Sequence, residues 1–442
     1  MHDDHHTDDA GCDDPCCADP ACDGSHDHGH HDHFADASVS GDEHLANVEI
    51  ADGETAETAW ADLYPLLPSY TLAQMVDDID NLRTWPDEFA RLSYAFPSEE
   101  SADYEGNGRE GTLRGFTAEQ AEAAREVMAS YADIIDLEFV DGGDDVDAEI
   151  RFYNSTIVNT AGGAPYDPDS GLGGDIWIYN YDPGTVGNRD RTPGSYDYHL
   201  LVHEMGHVLG LSHTSFTGGD TYVERAGYAE NNAAWSAMSY LTAGAAGLDW
   251  ATTYSATPML ADVAALQSIY GANMQTRTGD TVYGFNSTAD RDVLDFDHML
   301  DTYGAVAAVT IWDAGGTDTI DVSGYAADGF VNLAGGTLSS VGGFDLNLGI
   351  AQGATIENAI AGSGDDTVLG NGADNVLTGG IGSDVLEGGA GDDVLHGDGA
   401  GVSLADLRHG AVMLSGSQSV SFAVDGTDGT GASLQAMTVE ML

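Results

Sequence analysis

The sequence contains no lysine, and its 12 basic residues, all arginines, are far outnumbered by 75 aspartates and glutamates. The formal net charge of the 442 residues is therefore −63. A surface of this charge repels nucleic acid and anionic membranes, so we expect no nucleic-acid partner. The excess of acid goes well beyond what solubility requires. It suits either the binding of many cations or a saline habitat in which acidic side chains keep the surface hydrated.

Cysteine and long apolar segments are scarce as well. The four cysteines lie within the first 22 residues, at positions 12, 16, 17 and 22, so the rest of the chain folds without disulfides. No run of about 20 apolar residues exists that would cross a membrane. The first residues also lack the basic start and the apolar stretch of an ordinary secretory signal.

Histidine, aspartate and cysteine are instead concentrated in residues 1–60, which we expect to form a disordered leader or propeptide. Three interpretations of this leader remain open. It chelates metal ions, or one of its cysteines covers the active-site metal of an inactive precursor, or it is an artefact of the chosen start codon.

The segment 203–213 carries the pattern H-E-x-x-H-x-x-G-x-x-H, the most specific chemical signal in the chain. Residues four apart share one face of a helix, so His203 and His207 can both point at one metal ion. Gly210 takes backbone angles closed to other residues, which lets the chain turn back and bring in His213. Three imidazoles that leave one position open are typical of catalytic zinc. Glu204 lies beside them, where it can reach a water on the metal.

The alternative interpretation of this segment is a surface helix with three solvated histidines. Leucines and valines flank the histidines on both sides, and they favour a buried helix instead. Buried histidines are costly unless they are paired or bound to metal. The sequence therefore predicts a site for one catalytic Zn²⁺.

Several elements around this segment can be predicted from local patterns. Thr117 and Gln120 form a capping box, and the apolar spacing that follows predicts a helix as far as Ile135. Short strands are expected over 139–140, 148–152 and 173–179, the zinc helix over 196–209, and an amphipathic helix from about residue 260.

From residue 361 the sequence repeats every nine residues with the pattern G-G-x-G-x-D-x-U-x, where U is apolar. This pattern is typical of calcium-binding repeats: glycines permit tight turns, and aspartate and carbonyl oxygens suit a hard cation. The apolar positions start short strands that stack as a parallel β-roll, and they are Val368, Leu377, Leu386 and Leu395. Asn375 replaces one aspartate, which removes a charge from one site. The predicted calcium ligands in the repeats are Gly362, Gly364, Asp366, Gly379, Ile381, Asp384, Gly388, Ala390 and Asp393.

The zinc motif, the repeats and the segment Met238-Ser239-Tyr240 together resemble the serralysin branch of the metzincin zinc proteases, over roughly residues 112–398. The resemblance implies a methionine turn in which Met238 lies beneath the zinc histidines. It also implies that Tyr240 binds zinc at rest and swings away to hydrogen-bond the oxyanion, with Glu204 as the general base. The further calcium ligands that it implies are Arg277, Gly279, Thr281, Asp313, Gly315, Gly316, Asp318, Thr355 and Glu357.

The expected fold is an α+β metzincin catalytic domain, a mixed twisted sheet with a long zinc-binding helix, followed by an all-β parallel β-roll of glycine-rich nonapeptide repeats. We expect the leader over 1–60, the zinc metalloprotease domain over 61–275 and the calcium-binding β-roll over 276–400. Residues 401–442 form a tail that is either related to export or truncated.

The resemblance implies a secreted zinc endopeptidase that hydrolyses peptide bonds in proteins and is stabilised by several Ca²⁺ ions. We expect a monomer, exported without a signal peptide, with protein or peptide substrates, the secretion machinery and a proteinaceous protease inhibitor as partners. The alternative is a calcium-binding RTX adhesin or surface-layer protein with an inactive protease-like domain, and the intact Glu204 and histidines argue against it. The chain departs from the family at Thr214, where serralysins usually have proline, in its long leader and in the short segment after the repeats.

Overall fold

The computed structural model of the chain describes residues 67–398, apart from residues 81, 87–88, 106–108, 158–160, 168–170 and 180–190. The predicted leader over 1–60, with all four cysteines, and the predicted tail over 401–442 therefore lie outside the described residues. No helix within the described ranges is long and apolar enough to span a membrane.

The helices and strands of the described part of the chain follow in sequence order. The helices are α1 (Leu72–Ile79), α2 (Ala118–Ile134), α3 (Tyr196–Val208), α4 (Tyr222–Arg225), α5 (Leu260–Tyr270) and α6 (Phe296–His298), which continues as a π-helix over Met299–Tyr303. The strands of the first half are β1 (Arg91–Ala95), β2 (Leu113–Arg114), β3 (Glu138–Asp141), β4 (Ile150–Ser155), β5 (Ala161–Gly163) and β6 (Ile176–Tyr179). Those of the second half are β7 (Val282–Gly284), β8 (Val309–Ile311), β9 (Thr319–Asp321), β10 (Phe330–Asn332), β11 (Thr337–Ser339), β12 (Leu348–Ile350), β13 (Asn358–Ile360), β14 (Thr367–Asn371), β15 (Val376–Gly380), β16 (Val385–Gly389) and β17 (Val394–Asp398).

A mixed sheet with the strand order β3-β1-β4-β6-β5 forms the base of the first half. Strands β3, β1, β4 and β6 run parallel, whereas β5 is antiparallel to β6 and β2 pairs antiparallel with β4. Every residue of the central strand β4 is buried. Helix α3 packs on the β5 and β6 side of this sheet, which places the predicted zinc helix along a sheet edge.

Helix α2 begins where its sequence predicts. The Thr117 hydroxyl accepts a hydrogen bond from the Gln120 backbone N–H and the Gln120 side chain bonds back to the Thr117 N–H, so the predicted capping box is confirmed. The buried face of the helix carries Val127 and Tyr131, and the Tyr131 hydroxyl donates to the Val202 carbonyl oxygen of α3 at 2.7 Å. Helix α2 therefore supports the zinc helix directly.

The strands of the nonapeptide repeats, β14 to β17, extend two parallel ladders, β17-β15-β13-β9-β7 and β10-β14-β16. Successive repeats contribute strands to alternate ladders, so Thr367 pairs with Val385, two nine-residue periods later. The apolar positions predicted to face inward are buried, with exposed fractions of 0% for Val368, Leu377 and Leu386 and 9% for Leu395. Burial of one apolar side chain per repeat stabilises the packing of each short strand against its neighbours in the stack.

One buried apolar cluster includes residues on both sides of the predicted boundary at 275/276. Charged contacts cross the same boundary, because Asp133, next to the last residue of α2, accepts hydrogen bonds from the guanidinium groups of Arg277 and Arg291. The Thr276 hydroxyl also donates to the Asp133 carbonyl oxygen at 2.6 Å. The C-terminal end of α2 thus packs against the second half of the chain.

Candidate metal centre and active site

Helix α3 positions the candidate metal ligands. The Ser195 hydroxyl caps the helix by accepting a hydrogen bond from the Tyr198 backbone N–H. The helix ends at Val208, and Gly210 adopts a φ of 100°, in the region that favours glycine. The chain turns back there, as its sequence predicts, and brings His213 beside His203 and His207.

The three imidazoles converge through their Nε2 atoms. The Nε2 atom of His213 lies 2.9 Å from that of His207 and 3.1 Å from that of His203. The Nδ1 atom of His203 lies 2.8 Å from the Ala237 carbonyl oxygen, and that of His207 lies 2.7 Å from the Leu211 carbonyl oxygen. A carbonyl only accepts, so the ring proton of both histidines is on Nδ1 and each Nε2 presents a lone pair.

Facing lone pairs at these distances repel one another unless a cation lies between them, so the donor set fits a metal ion. Within the described ranges these histidines form a group of three whose ligand atoms all lie within 4.8 Å of one another. Burial, followed by the charge of neighbouring histidines, lowers the pKa of His207 to about 3 and that of His213 well below its usual value. The imidazoles therefore stay neutral, which is the form that binds a metal.

Glu204 lies almost fully buried beside these ligands, with 5% of its surface exposed. Burial raises the pKa of its carboxyl group to about 8, and a hydrogen bond from the Gly163 backbone N–H acts in the opposite direction. Gly163 ends β5, and a β-carbon there would overlap the Glu204 carbonyl oxygen of α3. Only glycine lets the strand approach the helix closely enough for this hydrogen bond.

Tyr240 and Met238 both lie close to residues of the histidine motif. The Tyr240 ring centroid is 4.1 Å from that of His213, and 38% of the residue is exposed. Met238 is completely buried, and its sulfur lies so close to Gly206 that a β-carbon there would approach it to 2.5 Å. Met238 therefore packs against the turn of α3 that separates the two helical histidines.

Sequence reasoning missed the residue that holds the methionine turn. The Asp262 carboxylate, in the first turn of α5, accepts hydrogen bonds from the Ser236 hydroxyl at 2.6 Å and from the backbone N–H groups of Ala237 at 2.7 Å and Met259 at 2.9 Å. Burial raises the pKa of Asp262 to about 6. The Ala237 carbonyl oxygen in turn accepts a hydrogen bond from the Nδ1–H group of His203. Asp262 therefore orients that imidazole indirectly, through Ala237. An acidic residue in the first turn of a predicted helix was the available signal.

Two aromatic neighbours of the site were also missed. Half of Phe216 is exposed, and its ring packs edge-on against Tyr240 at a centroid distance of 5.6 Å. His199 lies one turn before His203 on the same face of α3, and its Nδ1 atom is 2.8 Å from the Ser255 hydroxyl. His199 extends the four-residue spacing of His203 and His207, which was the available signal, whereas no local pattern marks Phe216.

The structure brings several predicted calcium ligands together at the start of the second half. The Asp318 carboxylate accepts a hydrogen bond from the Thr281 N–H at 2.7 Å, and the Asp318 N–H donates to the Glu357 carboxylate at 2.7 Å. Asp313 accepts from the Gly315 N–H at 2.6 Å. Burial and the neighbouring charges of Asp313 and Glu357 raise the pKa of Asp318 to about 7.

One carboxylate oxygen of this cluster, Asp318 Oδ2, is buried and has no hydrogen-bond partner within the described part of the chain. Gly316 approaches the Gly279 carbonyl so closely that a β-carbon would lie 2.7 Å from it. Arg277 adopts a φ of 48°, in the left-handed region. Oxygen donors that crowd around an unpartnered carboxylate fit Ca²⁺. Thr355, predicted with this set, is exposed just before β13.

The aspartates of the repeats stack in columns. Asp366 accepts from the Gly362 N–H at 3.0 Å, and the Asp366 N–H donates to Asp384 at 3.0 Å. Asp393 accepts from the Asn375 N–H at 2.9 Å. Of the remaining predicted ligands, Gly364, Ile381 and Ala390 lie in the turns, with Ile381 and Ala390 exposed, and Gly379 and Gly388 lie near the ends of β15 and β16. A β-carbon at any of the three glycines would come within 2.6 Å of a neighbouring atom.

Asn375 does more than remove a charge from a repeat. Its side-chain amide donates to the Glu357 carbonyl oxygen at 2.7 Å and to the Asn371 side chain at 3.1 Å. A carboxylate has no proton to donate in this position, so the asparagine joins the second of the four repeats to the segment that carries Glu357.

Comparison with known proteins agrees with this architecture. Residues 272–408 match the family model Peptidase M10 serralysin C terminal. The chain is 41% identical to Serralysin B of Dickeya chrysanthemi over 291 residues, which cover 63% of this chain and 58% of the relative. It is 36% identical to Metalloprotease AprA of Pseudomonas entomophila over 324 residues, covering 69% and 64%, and 38% identical to Serralysin of Photorhabdus luminescens over 265 residues, covering 58% and 53%.

The matched region thus spans less than two thirds of the length of these relatives. The glycine-rich repeats lie within residues 272–408, which the family model matches. Over the region that these comparisons cover, the chain is similar to the serralysin-type metalloproteases.

Proposed function

We propose that the chain is a secreted zinc endopeptidase that hydrolyses peptide bonds in proteins. The observation that supports this function is the convergence of three neutral imidazoles, those of the buried His203 and the partly buried His207 and His213, beside the buried carboxyl group of Glu204. These histidines would hold one Zn²⁺. When bound, zinc supplies a Lewis acid that polarises the scissile carbonyl and lowers the pKa of water.

Glu204 acts as the general base in this proposal. Its carboxylate takes a proton from the attacking water and later delivers that proton to the nitrogen of the leaving amine. A nearby cation opposes the effect of burial on the Glu204 pKa and keeps the carboxylate ionised. The Gly163 N–H holds one carboxylate oxygen, so it orients the group toward the site.

Tyr240 supplies a hydrogen-bond donor in this proposal. Its ring stacks beside His213, and part of it is open to solvent, so the phenol has room to move. Its phenol would be a further ligand of the metal at rest, and its O–H would hydrogen-bond the oxyanion when substrate enters. Asp262 acts indirectly, because it fixes the Ala237 carbonyl that orients His203.

The second half of the chain is a calcium-dependent scaffold in this proposal. The carboxylates of Asp318, Asp313 and Glu357 repel one another, and a divalent cation bound among them would relieve this repulsion. The stacked carboxylates of Asp366, Asp384 and their equivalents also repel one another, so a cation would stabilise them in the same way. Export without a signal peptide would deliver the chain to a calcium-rich exterior, where binding adds directly to folding free energy.

Hydrolysis of a fluorogenic peptide by the full chain tests the proposed activity. A chelator should abolish turnover, and Zn²⁺ should restore it. Glu204→Gln should lower kcat by about 10²-fold or more, the usual contribution of a general base. Glu138→Gln, at an exposed position on β3, is the matched control and should leave kcat unchanged. Turnover that survives the chelator, or a wild-type rate in Glu204→Gln, would contradict the proposed mechanism. No turnover by the zinc-loaded wild-type chain would favour the adhesin-like role with an inactive protease-like domain.

A further inference from the structure

An acidic groove of about 520 Å³ runs between α2, residues 191–193 and the segment that contains α6. The described residues that line it include four carboxylates, Glu119, Glu122, Glu126 and Asp292. The single cationic group in this lining is Arg191, which forms an ion pair with Asp197 at 3.4 Å. The groove thus presents a net negative surface, and no predicted zinc or calcium ligand lines it.

A buried hydroxyl closes the groove on the α3 side. Tyr198 lines the groove, only 1% of the residue is exposed, and its hydroxyl has no hydrogen-bond partner within the described part of the chain. Glu126, Tyr303 and Asp292 are its nearest ionisable neighbours, and their charges add to burial in raising the pKa of the phenol. An unpaired buried hydroxyl is unfavourable, so a polar group that enters from the groove would stabilise it.

The carboxylates are also arranged unfavourably for one another. Glu126 is partly buried, and burial together with the charge of Asp292 raises its pKa. The opposing charge that acts on Glu126 is that of Arg291, whose guanidinium is bound to Asp133 at 2.8 Å. The Nε2 atom of His298 lies 3.5 Å from the Oδ2 atom of Asp292. A cation placed between Glu126 and Asp292 would relieve this repulsion.

We propose that this groove binds the cationic side chain of an arginine or lysine carried by another polypeptide. Glu126 and Asp292 flank the charged head, and the apolar surfaces of Ala123, Val293 and Tyr303 cover the methylene stem. The chain has no lysine of its own, so a lysine ligand comes from a partner or a substrate. The site would select basic segments at a position separate from the zinc histidines.

The chemical character of the groove lining favours a side chain over a metal ion as the ligand. Ca²⁺ requires six to eight oxygens at about 2.3–2.6 Å, held by a compact loop. Here the carboxylates come from two separate elements, and apolar and aromatic surfaces lie between them. An elongated ligand with an apolar stem and a charged head matches this lining, whereas a bare ion does not.

Titration of the full wild-type chain with Nα-acetyl-arginine methylamide, followed by saturation-transfer NMR at 0.15 M salt, tests the proposal. The matched ligand is Nα-acetyl-citrulline methylamide, which has almost the same shape and no charge. We expect the citrulline compound to bind at least about tenfold more weakly than the arginine compound, because it cannot form a charge-assisted hydrogen bond to the carboxylates. This comparison needs no variant and does not depend on proteolytic activity.

Two nearly isosteric variants locate the binding. Glu126→Gln and Asp292→Asn should each weaken the arginine compound about tenfold. Asp136→Asn removes the same charge from an exposed position just beyond α2 and should change nothing, which separates the groove from the general negative field. Equal affinity for the two ligands, or equal losses in all three variants, would overturn the proposal. Loss of one bound Ca²⁺ in Glu126→Gln with unchanged arginine binding would also overturn it.

Discussion

Two substitutions of Asp262 separate its role as a hydrogen-bond acceptor from its role as a charge. The carboxylate receives three donors, the Ser236 hydroxyl and the backbone N–H groups of Ala237 and Met259, and only 1% of the residue is exposed. Yet burial outweighs these hydrogen bonds and raises its pKa to about 6. The surroundings therefore favour an acceptor at this position but not a negative charge.

The expected magnitudes follow from that distinction. Asp262→Ala leaves three buried donors without a partner, and at about 1–3 kcal/mol each the loss of unfolding free energy is about 3 kcal/mol or more. Asp262→Asn keeps one oxygen for the two N–H groups and turns its amide toward the Ser236 oxygen, which can accept. We expect the asparagine variant to lose about 1 kcal/mol or less.

The effect should reach the metal site through Ala237, whose carbonyl oxygen lies 2.8 Å from the Nδ1 atom of His203. Loss of a partner that orients a metal ligand typically weakens metal binding by about 10–100-fold. Zinc affinity, measured by competition with a chromophoric chelator, should fall in this range for Asp262→Ala and change little for Asp262→Asn. Urea unfolding followed by tryptophan fluorescence gives the stability order. Equal damage from both substitutions would show that the charge, not the acceptor, holds the turn.

Three further perturbations test other parts of the structure. Tyr240→Phe should lower kcat more than it raises KM, with zinc retained, because an oxyanion donor acts in the transition state; an unchanged kcat would contradict this role. Gly163→Ala should push β5 away from α3, lower kcat about tenfold or more through the lost hydrogen bond to Glu204 and leave zinc content unchanged, as metal analysis would check. Removal of calcium should unfold residues from about 310 to 400, because the stacked carboxylates repel one another. Circular dichroism of the full chain should show that the β-signal is lost in chelator and returns with millimolar Ca²⁺; a β-signal insensitive to chelator would refute this prediction.

Local patterns predicted the parts of the fold that local physics determines. The capping box of Thr117 and Gln120, the reversal at Gly210 and the inward positions of Val368 and Leu377 all depend on residues a few positions apart. Helix periodicity, glycine backbone freedom and a nine-residue repeat are visible without knowledge of the tertiary structure. The predictions that rest on them were therefore accurate to within a few residues.

The parts that were missed depend on contacts between distant segments. The Gly163 N–H meets Glu204 only because the edge strand β5 lies along α3, and Asp262 meets Ala237 only because α5 packs beneath the methionine turn. The donor role of Asn375 likewise requires the carbonyl group of Glu357 from another turn. No spacing rule connects such partners, since packing selects them after the elements have formed.

Zinc titration of the metal-depleted chain, with peptide turnover and bound metal measured in the same samples, tests the central claim most directly. We predict that turnover of the wild-type chain rises linearly to a plateau at one equivalent of zinc. Glu204→Gln should bind the same single equivalent and remain nearly inactive. Turnover before zinc is added, a plateau that does not follow zinc occupancy, or wild-type turnover in Glu204→Gln would contradict the assignment of His203, His207, His213 and Glu204 as the catalytic centre.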